Sequence, residues 1–565
     1  MLFFPVLLCF TAVYAIISAK GRCCPVNKSK PALVAIKLLL TAAIGFIYFY
    51  LKLPAINLKD YDFYTFIFIL SAVYCLLSLV TVGVYRVANP WELFSVLKQN
   101  CFVPALLCAG LIALMVLGSI ISAPIFRAGA YSRLLTVADG DFSADVKEIS
   151  YDQIPMLDAA SAEKLGDRKL GELSDMVSQF EVADNYSQIN YHGRPVRVTP
   201  LEYGDIIKWF NNRARGLPAY LVIDMVTQNV EVVRLTGGMK YSTAEHFGRN
   251  LYRHLRFNYP TFMFYGASFE VDEEGIPYWV CPRLVKRIGL FGGQDIEGAV
   301  LVNALTGESQ YYEDVPTWVD RVYFAELIIG QYDYRGLYTN GFINSILGQR
   351  GVTVTTDGYN YLAIDDDVYM YTGITSVGSD QSNIGFILTN QRTKETRYYP
   401  GAGATEYSAM GSAEGEVQHL HYVATFPLLL NISDQPTYFM AMKDAAGLVK
   451  MYAMVNVQQY QMVAVGETVA ACEANYVRML TDGKVVTGDK AGADEIAGTI
   501  ADLRSAVTGG NTMYYIRLEG DERYYVLSAA DNPLAVILDV GDRVTIRAGA
   551  AEGELVSAYS VERVR

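Results

Sequence analysis

Histidine is scarce in this chain, five in 565 residues, and tryptophan scarcer at four. Of the eight cysteines only Cys281 and Cys472 lie beyond Cys108, so a disulfide outside the apolar N-terminal part has a single possible pairing. The Cys23-Cys24 pair among lysines has the look of a palmitoylation or metal pair, but no further ligand accompanies it. No G-x-S-x-G or H-E-x-x-H occurs, the patterns that place an activated serine or a zinc-bound water. "GAGATE" (401–406) lacks both the third glycine of a dinucleotide loop and the lysine of a P-loop, and reads as a plain loop. Charge of one sign is also short. Net charge is −13, and residues 491–565 hold seven Arg and no Lys against twelve Asp/Glu. Phosphate backbones need clustered positive charge, so nucleic acid is excluded as a partner.

What is present is apolar length. Hydrophobic residues make up 52% of the chain and mean hydropathy is +0.19. Four runs, Leu2–Ala19, Pro31–Leu53, Phe63–Tyr85 and Phe102–Phe126, approach the roughly 20 residues of a spanning helix. The first is expected to be retained, since no positive charge precedes it and three more runs follow. Lys37 sits inside the second run, where a long side chain can snorkel to the interface. The first 130 residues carry ten Lys/Arg against three acids, and the remainder 36 against 56, a net of +7 followed by −20. Lys20, Arg22, Lys28 and Lys30 in the first loop and Arg86 and Lys98 in the third place those loops in the cytoplasm. In the second loop Lys52 and Lys59 are offset by Asp60 and Asp62. Both termini and the acidic remainder are therefore expected outside the cell membrane.

The expected layout is a four-helix membrane domain (1–126), a connector (127–198), an α+β module of antiparallel sheet (199–335) and a second β-rich module (336–465). A helix and linker (466–490) and a small C-terminal β-barrel (491–565) follow. "TPLE" places Thr199 at a helix N-cap and Glu202 at N3; "STAE" does the same with Ser242 and Glu245. A third helix is expected in "VPTWVDRVYFAELIIGQY", capped by Asp314. Four segments align: "YLVIDMVTQNVEVV", "AVLVNALTGESQYY", "FILTNQRTKETRYY" and "FMAMKDAAGLVKMY". Asp224, Asn303, Asn390 and Asp444 fall in register, with Thr227, Thr306, Thr393 and Gly447 three residues later. An Asx side chain that accepts from an amide two residues on makes each a hairpin turn. Spacings of 79, 87 and 54 residues exclude a fixed-period solenoid and suit duplicated modules.

The stretches "AYLVIDMVTQNVEVVRL" and "GIPYWVCPR…GAVLVNALTGESQYY", each after a helix, resemble PepSY-type domains over 199–320, and the resemblance extends to 350–460. It implies binding or inhibition of a partner, often a peptidase, and no catalytic residues. The layout is also similar to multi-pass envelope proteins of anaerobic Gram-positive bacteria, some labelled colicin V production-like on their four spans alone. The end of the chain, with "VGDRVTI" and strands expected at 496–506, 512–519, 522–528, 533–538, 542–548 and 554–562, resembles an OB-type barrel.

Chemistry has weak candidates. His419 and His421 in "VQHLHYV" would share one face of a strand as two metal ligands, one or two short of a zinc site. Asp365–Asp367 could meet a calcium ion but lack the D-x-D-x-D-G spacing, and suit a hairpin bend better. No cofactor is expected. The reading is a non-enzymatic binding or scaffold protein whose partners are the lipid bilayer and an envelope protein or glycan. An envelope hydrolase and a transport role for the spans are the alternatives.

Overall fold

The computed structural model describes residues 30–82, 90–148, 154–378, 382–482, 493–508, 511–529, 532–549 and 555–564. The chain forms two units, Met1–Leu117 and Gly118–Arg565. The expected first span, Leu2–Ala19, lies outside the described residues.

In the first unit α1 (Lys30–Lys52) and α2 (Tyr61–Val82) form a hairpin, and α3 (Pro90–Ser122) runs on into the second unit. Three described segments are long and apolar enough to cross a membrane: Pro31–Lys52, Tyr61–Thr81 and Cys101–Ser122. Lys37 does not snorkel. It is 3% exposed and its Nζ donates to Ser78 Oγ of α2 at 3.3 Å. The last apolar run also ends earlier than its composition suggests. Ala123 is extended (φ −65°, ψ 140°) and Pro124 starts a separate helix, α4 (Pro124–Tyr131), so Ile125 and Phe126 fall outside the span.

Most of the second unit, residues 159–466, is built from one repeating motif. After a short β1 (Val137–Asp139), the first repeat comprises α5 (Ala159–Gly171), β2 (Phe180–Val182), β3 (Ser187–Tyr191), β4 (Arg194–Tyr203), α6 (Ile206–Asn212), β5 (Leu217–Asp224) and β6 (Val230–Met239). The second has α7 (Leu251–Asn258), β7 (Met263–Phe264), β8 (Ser268–Val271), β9 (Pro277–Ile288), β10 (Gly292–Asn303) and β11 (Ser309–Tyr312). The third has α8 (Ala325–Tyr338), β12 (Thr353–Thr355), β13 (Asn360–Ile364), β14 (Asp367–Ser376), β15 (Ser382–Asn390) and β16 (Thr396–Ala404). The fourth has α9 (Glu406–Glu416), β17 (Val423–Ala424), β18 (Leu428–Ile432), β19 (Gln435–Lys443), β20 (Val449–Asn456) and β21 (Val463–Gly466), with α10 (Val469–Asp482) after it. In each, two short strands pair with different halves of one long strand, and two more strands extend the sheet. The expected connector is thus part of the first repeat, since β2 and β3 pair with β4. The first two repeats share one core around Phe269, Trp279 and Tyr220, and the last two share another around Tyr371, Phe439 and Met454.

The split edge sets a chemical problem that recurs four times. Where the two short strands part, one residue of the long strand faces the gap: Pro200, Pro282, Gly373 and Ala441. Its carbonyl accepts from the incoming chain, from Ala183, Tyr265, Thr356 and Thr425 amides respectively. Its own N–H, pointing the same way, has no ladder partner, and an unpaired buried amide costs about 1–3 kcal/mol. Proline has no N–H to leave unpaired at 200 and 282. Glu406 Oε1 accepts the Gly373 amide at 2.8 Å, and Thr425 Oγ1 accepts the Ala441 amide at 3.0 Å.

Both proposed capping boxes are corrected by this sheet. Thr199 and Glu202 lie inside β4, where Thr199 Oγ1 donates to Ala183 O at 2.8 Å. The helix begins later, with Asp205 accepting from the Ile207 and Lys208 amides at 2.8 and 2.9 Å. Ser242 bridges to Asn250, which caps α7 instead. Glu245 is buried and accepts from Tyr203 Oη at 2.7 Å and Trp209 Nε1 at 2.8 Å. Asp314 caps nothing; α8 starts at Ala325 after an uncapped Phe324.

Three of the aligned turns share one geometry. Asp224, Asn303 and Asn390 Oδ1 each accept from the second and third following amides, and Thr227, Thr306 and Thr393 Oγ1 accept from the amide two further on. The next position is left-handed, φ +60° at Gln228, +78° at Gly307 and +67° at Lys394. Asp444 is different. It joins β19 to β20, one strand earlier in its sheet, and accepts from Ala446 and Leu448 amides, with Gly447 left-handed at φ +74°. That is the geometry of Asp272, which accepts from Glu274 and Ile276 with Gly275 at φ +77°. The fourth counterpart is Asn456, between β20 and β21, accepting from Gln458 and Gln459 amides.

At the C-terminus β22 (Ala493–Thr508), β23 (Asn511–Leu518), β24 (Tyr524–Ser528), β25 (Arg543–Gly549) and β26 (Leu555–Arg563) pair in the order β22-β23-β24-β26-β25, with β25 also against β22. The strand expected at 533–538 is a 3₁₀ turn over Pro533–Ile537.

Ala441→Pro is expected to cost no more than about 1 kcal/mol, since its N–H serves only Thr425, whereas Met440→Pro removes a ladder bond toward β20 and costs roughly 1–3 kcal/mol. Thermal melts of both variants in detergent check this; equal losses would contradict the split-edge account.

Candidate functional site

A cleft of about 530 Å³ opens where the first, third and fourth repeats meet. Its walls come from three turns and a strand: Gly193 and Arg194 at the β3–β4 turn, Asp224 and Thr227 at the β5–β6 turn, Asp365 at the β13–β14 turn, and Asn431 on β18. Turn chemistry positions them. His192 and Gly193 are both left-handed, at φ +53° and +71°, which makes the two-residue β3–β4 connection. Lys147 and Glu148 complete the rim, Lys147 paired with Asp365 and Glu148 Oε1 accepting from the Ser433 amide at 2.7 Å.

Two carboxamides are half-used. Asn190 Nδ2 donates to Asp365 O at 2.8 Å and Asn431 Nδ2 to Val146 O at 2.7 Å. Both Oδ1 atoms are buried and have no hydrogen-bond partner among the described residues. Most buried amide oxygens in folded proteins meet a donor, from protein, water or ligand. Both residues line the cleft, with mixed charge around them, Lys147 and Arg194 against Asp224, Glu148 and Asp365.

Behind Asn190 lies a buried acidic pair. Glu270 accepts from Ser268 Oγ (2.9 Å) and from the Asp320 (2.8 Å) and Arg321 (3.2 Å) amides. Asp320 Oδ2 accepts only from the Asn190 amide, at 2.7 Å, and its Oδ1 has no partner among the described residues. Burial raises the carboxyl of Asp320 well above its ordinary range, and the neighbouring Glu270 charge adds to this; burial raises Glu270 as well. The hydrogen-bond count puts the negative charge on Glu270 and the proton on Asp320. Burial, with the Arg321 charge beside it, pushes Arg197 down to about 10. Next to this pair Arg392 grips Asp367 through Nε and Nη2, both at 2.7 Å, and Asn390 Nδ2 donates to the same carboxylate at 2.8 Å.

Of the residues singled out in the sequence, Asp224, Thr227 and Asp365 reach the cleft. Asn303, Thr306, Thr393, Asp444 and Gly447 do not line it. His419 and His421 do not share a strand face: they lie in an exposed 3₁₀ turn, with His421 left-handed at φ +54°. Among the described residues no group of three His, Cys, Asp or Glu is placed to hold a metal. Cys281 and Cys472 are separate buried thiols, both raised by burial, and form no disulfide. "GAGA" ends β16 and Thr405 caps α9, accepting from the Ser408 amide. An S-x-x-K spacing occurs at Ser95–Lys98 on α3 and Ser161–Lys164 on α5; Lys164 Nζ reaches Ala446 O at 3.3 Å. Asn190, Asn431, Glu270 and Asp320 carry no sequence signal, because the first three stand among strand residues, Asp320 lies in the loop before α8, and only folding joins them.

A carboxyl whose folded-state value is raised binds its proton more tightly when folded, so stability falls as pH rises above the unfolded value near 4. Asp320→Asn keeps the acceptor for the Asn190 amide and removes the titration. The melting temperature of the parent is expected to fall between pH 5 and pH 8, and that of Asp320→Asn to fall less; parallel curves would show that Asp320 does not titrate in this window. No family model matches the chain, and no curated protein matches it.

Proposed function

We propose that the chain is a membrane-anchored binding protein of the cell envelope, its β-rich unit presented outside the membrane, and that the cleft takes an extended peptide segment of an envelope partner. One observation carries this. Asn190 and Asn431, at one cleft, each hold a buried carboxamide oxygen without a donor among the described residues. Backbone N–H groups of a peptide are donors of the right kind, and the turn residues Gly193 and Thr227 line the same cleft. Support for binding over catalysis comes from how the nearby acids are used. Glu270 spends its oxygens on two amides and a hydroxyl, Asp367 on Arg392, and Asp224 Oδ1 on its own turn. The membrane anchoring rests on three helices able to span, and the outward orientation on the Lys/Arg bias of the short loops. The PepSY and OB-type resemblances are part of this proposal, carried by the helix-plus-split-sheet form of the repeats and by the five strands of the C-terminal part.

A photo-crosslinking residue at Thr227 of the full chain in detergent, offered an envelope peptide digest, is expected to trap peptides. The same probe at Val540 in the C-terminal unit is expected to trap few. Asn190→Leu should reduce trapping at 227 by about tenfold, the worth of roughly one hydrogen bond to a buried group. Equal yields at both positions, or no effect of Asn190→Leu, would refute the cleft as a peptide site.

A further inference from the structure

The apolar run that ends α3 continues past Ser122 in the sequence, yet the fold removes its last residues from the span. Ile125 and Phe126 on α4 are 56% and 66% exposed. They share a concave surface of about 610 Å³ with Phe342, Ile343, Ile346 and Leu347, which come from the loop after α8, more than 200 residues later. Ile343, Ile346 and Leu347 are 72%, 58% and 82% exposed.

This loop is not loose chain with stray apolar residues. Its polar side chains point their bonds inward, Asn340 Nδ2 and Asn344 Nδ2 to Arg350 O at 3.1 and 3.0 Å, and Asn344 Oδ1 to the Arg350 amide at 3.3 Å. The turn between them, Asn344–Gly348, closes with the Gln349 amide on Asn344 O at 2.6 Å. The result is a braced loop that holds its three aliphatic tips outward. A row of rings joins it to α4: Tyr131 against Tyr334 at 4.8 Å, Tyr334 against Tyr338 at 6.0 Å, and Tyr338 against Phe342 at 6.0 Å.

The last turn of α3 is also fixed to the sheet. Ser122 Oγ accepts from the Leu290 and Phe291 amides at 2.9 and 3.1 Å, at the tip of the β9–β10 hairpin, and Tyr131 Oη donates to Ser122 O at 2.8 Å. Gly292 permits this approach, since a Cβ there would meet Tyr131 Oη at 2.2 Å.

We propose that Ile125, Phe126, Ile343, Ile346 and Leu347 form a foot that enters the lipid interface beside the end of the third described span. The occupant follows from continuity. The span-forming segment ends at Ser122, three residues before Ile125, and three residues reach at most about 10 Å, the depth of a headgroup layer. The loop tips share Ile125's surface, so a bilayer that holds residue 122 at its edge meets them too. Aromatic rings with a polar end, such as Tyr131, Tyr334 and Tyr338, are favoured at that depth. The foot depends only on the span, and stands or falls separately from the cleft.

The test uses the full chain in phosphatidylcholine vesicles with the acyl chains brominated near their upper carbons. In Leu347→Trp, emission above the parent's is expected to fall about twofold relative to unbrominated vesicles, as for an indole at the acyl boundary. Val423→Trp, on an exposed edge strand outside the patch, should be unchanged. Ile343→Trp repeats the measurement from a second position should Leu347→Trp fail to fold. An unquenched indole with water-like emission would overturn the foot. So would an unquenched, blue-shifted indole, which would place a second protein copy on the patch.

Discussion

A sheet edge made of two short strands instead of one leaves a single amide per repeat with nowhere to bond, and the second unit is organised around that amide. The gap is what lets the chain enter from a helix, cross over and return along the same long strand. Its chemistry is solved three ways in four repeats: by deleting the donor at Pro200 and Pro282, by Glu406 at Gly373, and by Thr425 at Ala441. The Glu406 solution has a wider consequence. Glu406 is the first residue of α9, so the amide of the third repeat anchors the helix that opens the fourth. Burial raises its carboxyl, and the two bonds from Gly373 and Thr356 oppose that rise.

Polar groups also hold the repeats to one another. Asp320 takes the amide of Asn190 from the first repeat, Asn190 in turn donates to the Asp365 carbonyl of the third, and Lys394 Nζ of the third reaches Asp295 of the second at 2.6 Å. Buried polar links of this kind specify one arrangement of apolar layers that could otherwise slide. The same links leave unsatisfied atoms at the cleft, Asn190 Oδ1 and Asn431 Oδ1. Both residues line the cleft where the first, third and fourth repeats meet.

Local chemistry made much of this readable. Asp224, Asn303 and Asn390 announce their turns because an Asx side chain bonds its own following amides, and no distant residue is needed. Asp444 shows the limit. Its turn is real, but alignment by residue type paired it with the wrong hairpin, and Asn456 holds the equivalent place. Thr199–Glu202 and Ser242–Glu245 fit a capping box in spacing alone. A capping box needs a helix's free amides; β4 takes the Thr199–Glu202 backbone into a sheet, and Asn250 caps the helix that follows Ser242–Glu245.

The sequence by itself determined the apolar segments able to span, the charge contrast between the two parts of the chain and most of the Asx turns. The spans and turns follow from residues within one span or one turn of each other, and the charge contrast from composition alone. Tertiary structure alone decided the four-repeat grouping, the burial of Lys37 against Ser78, and the company of Asn190 with Asn431. Those depend on partners tens to hundreds of residues away, and hydrophobic pattern specifies that a face is buried without specifying what buries it.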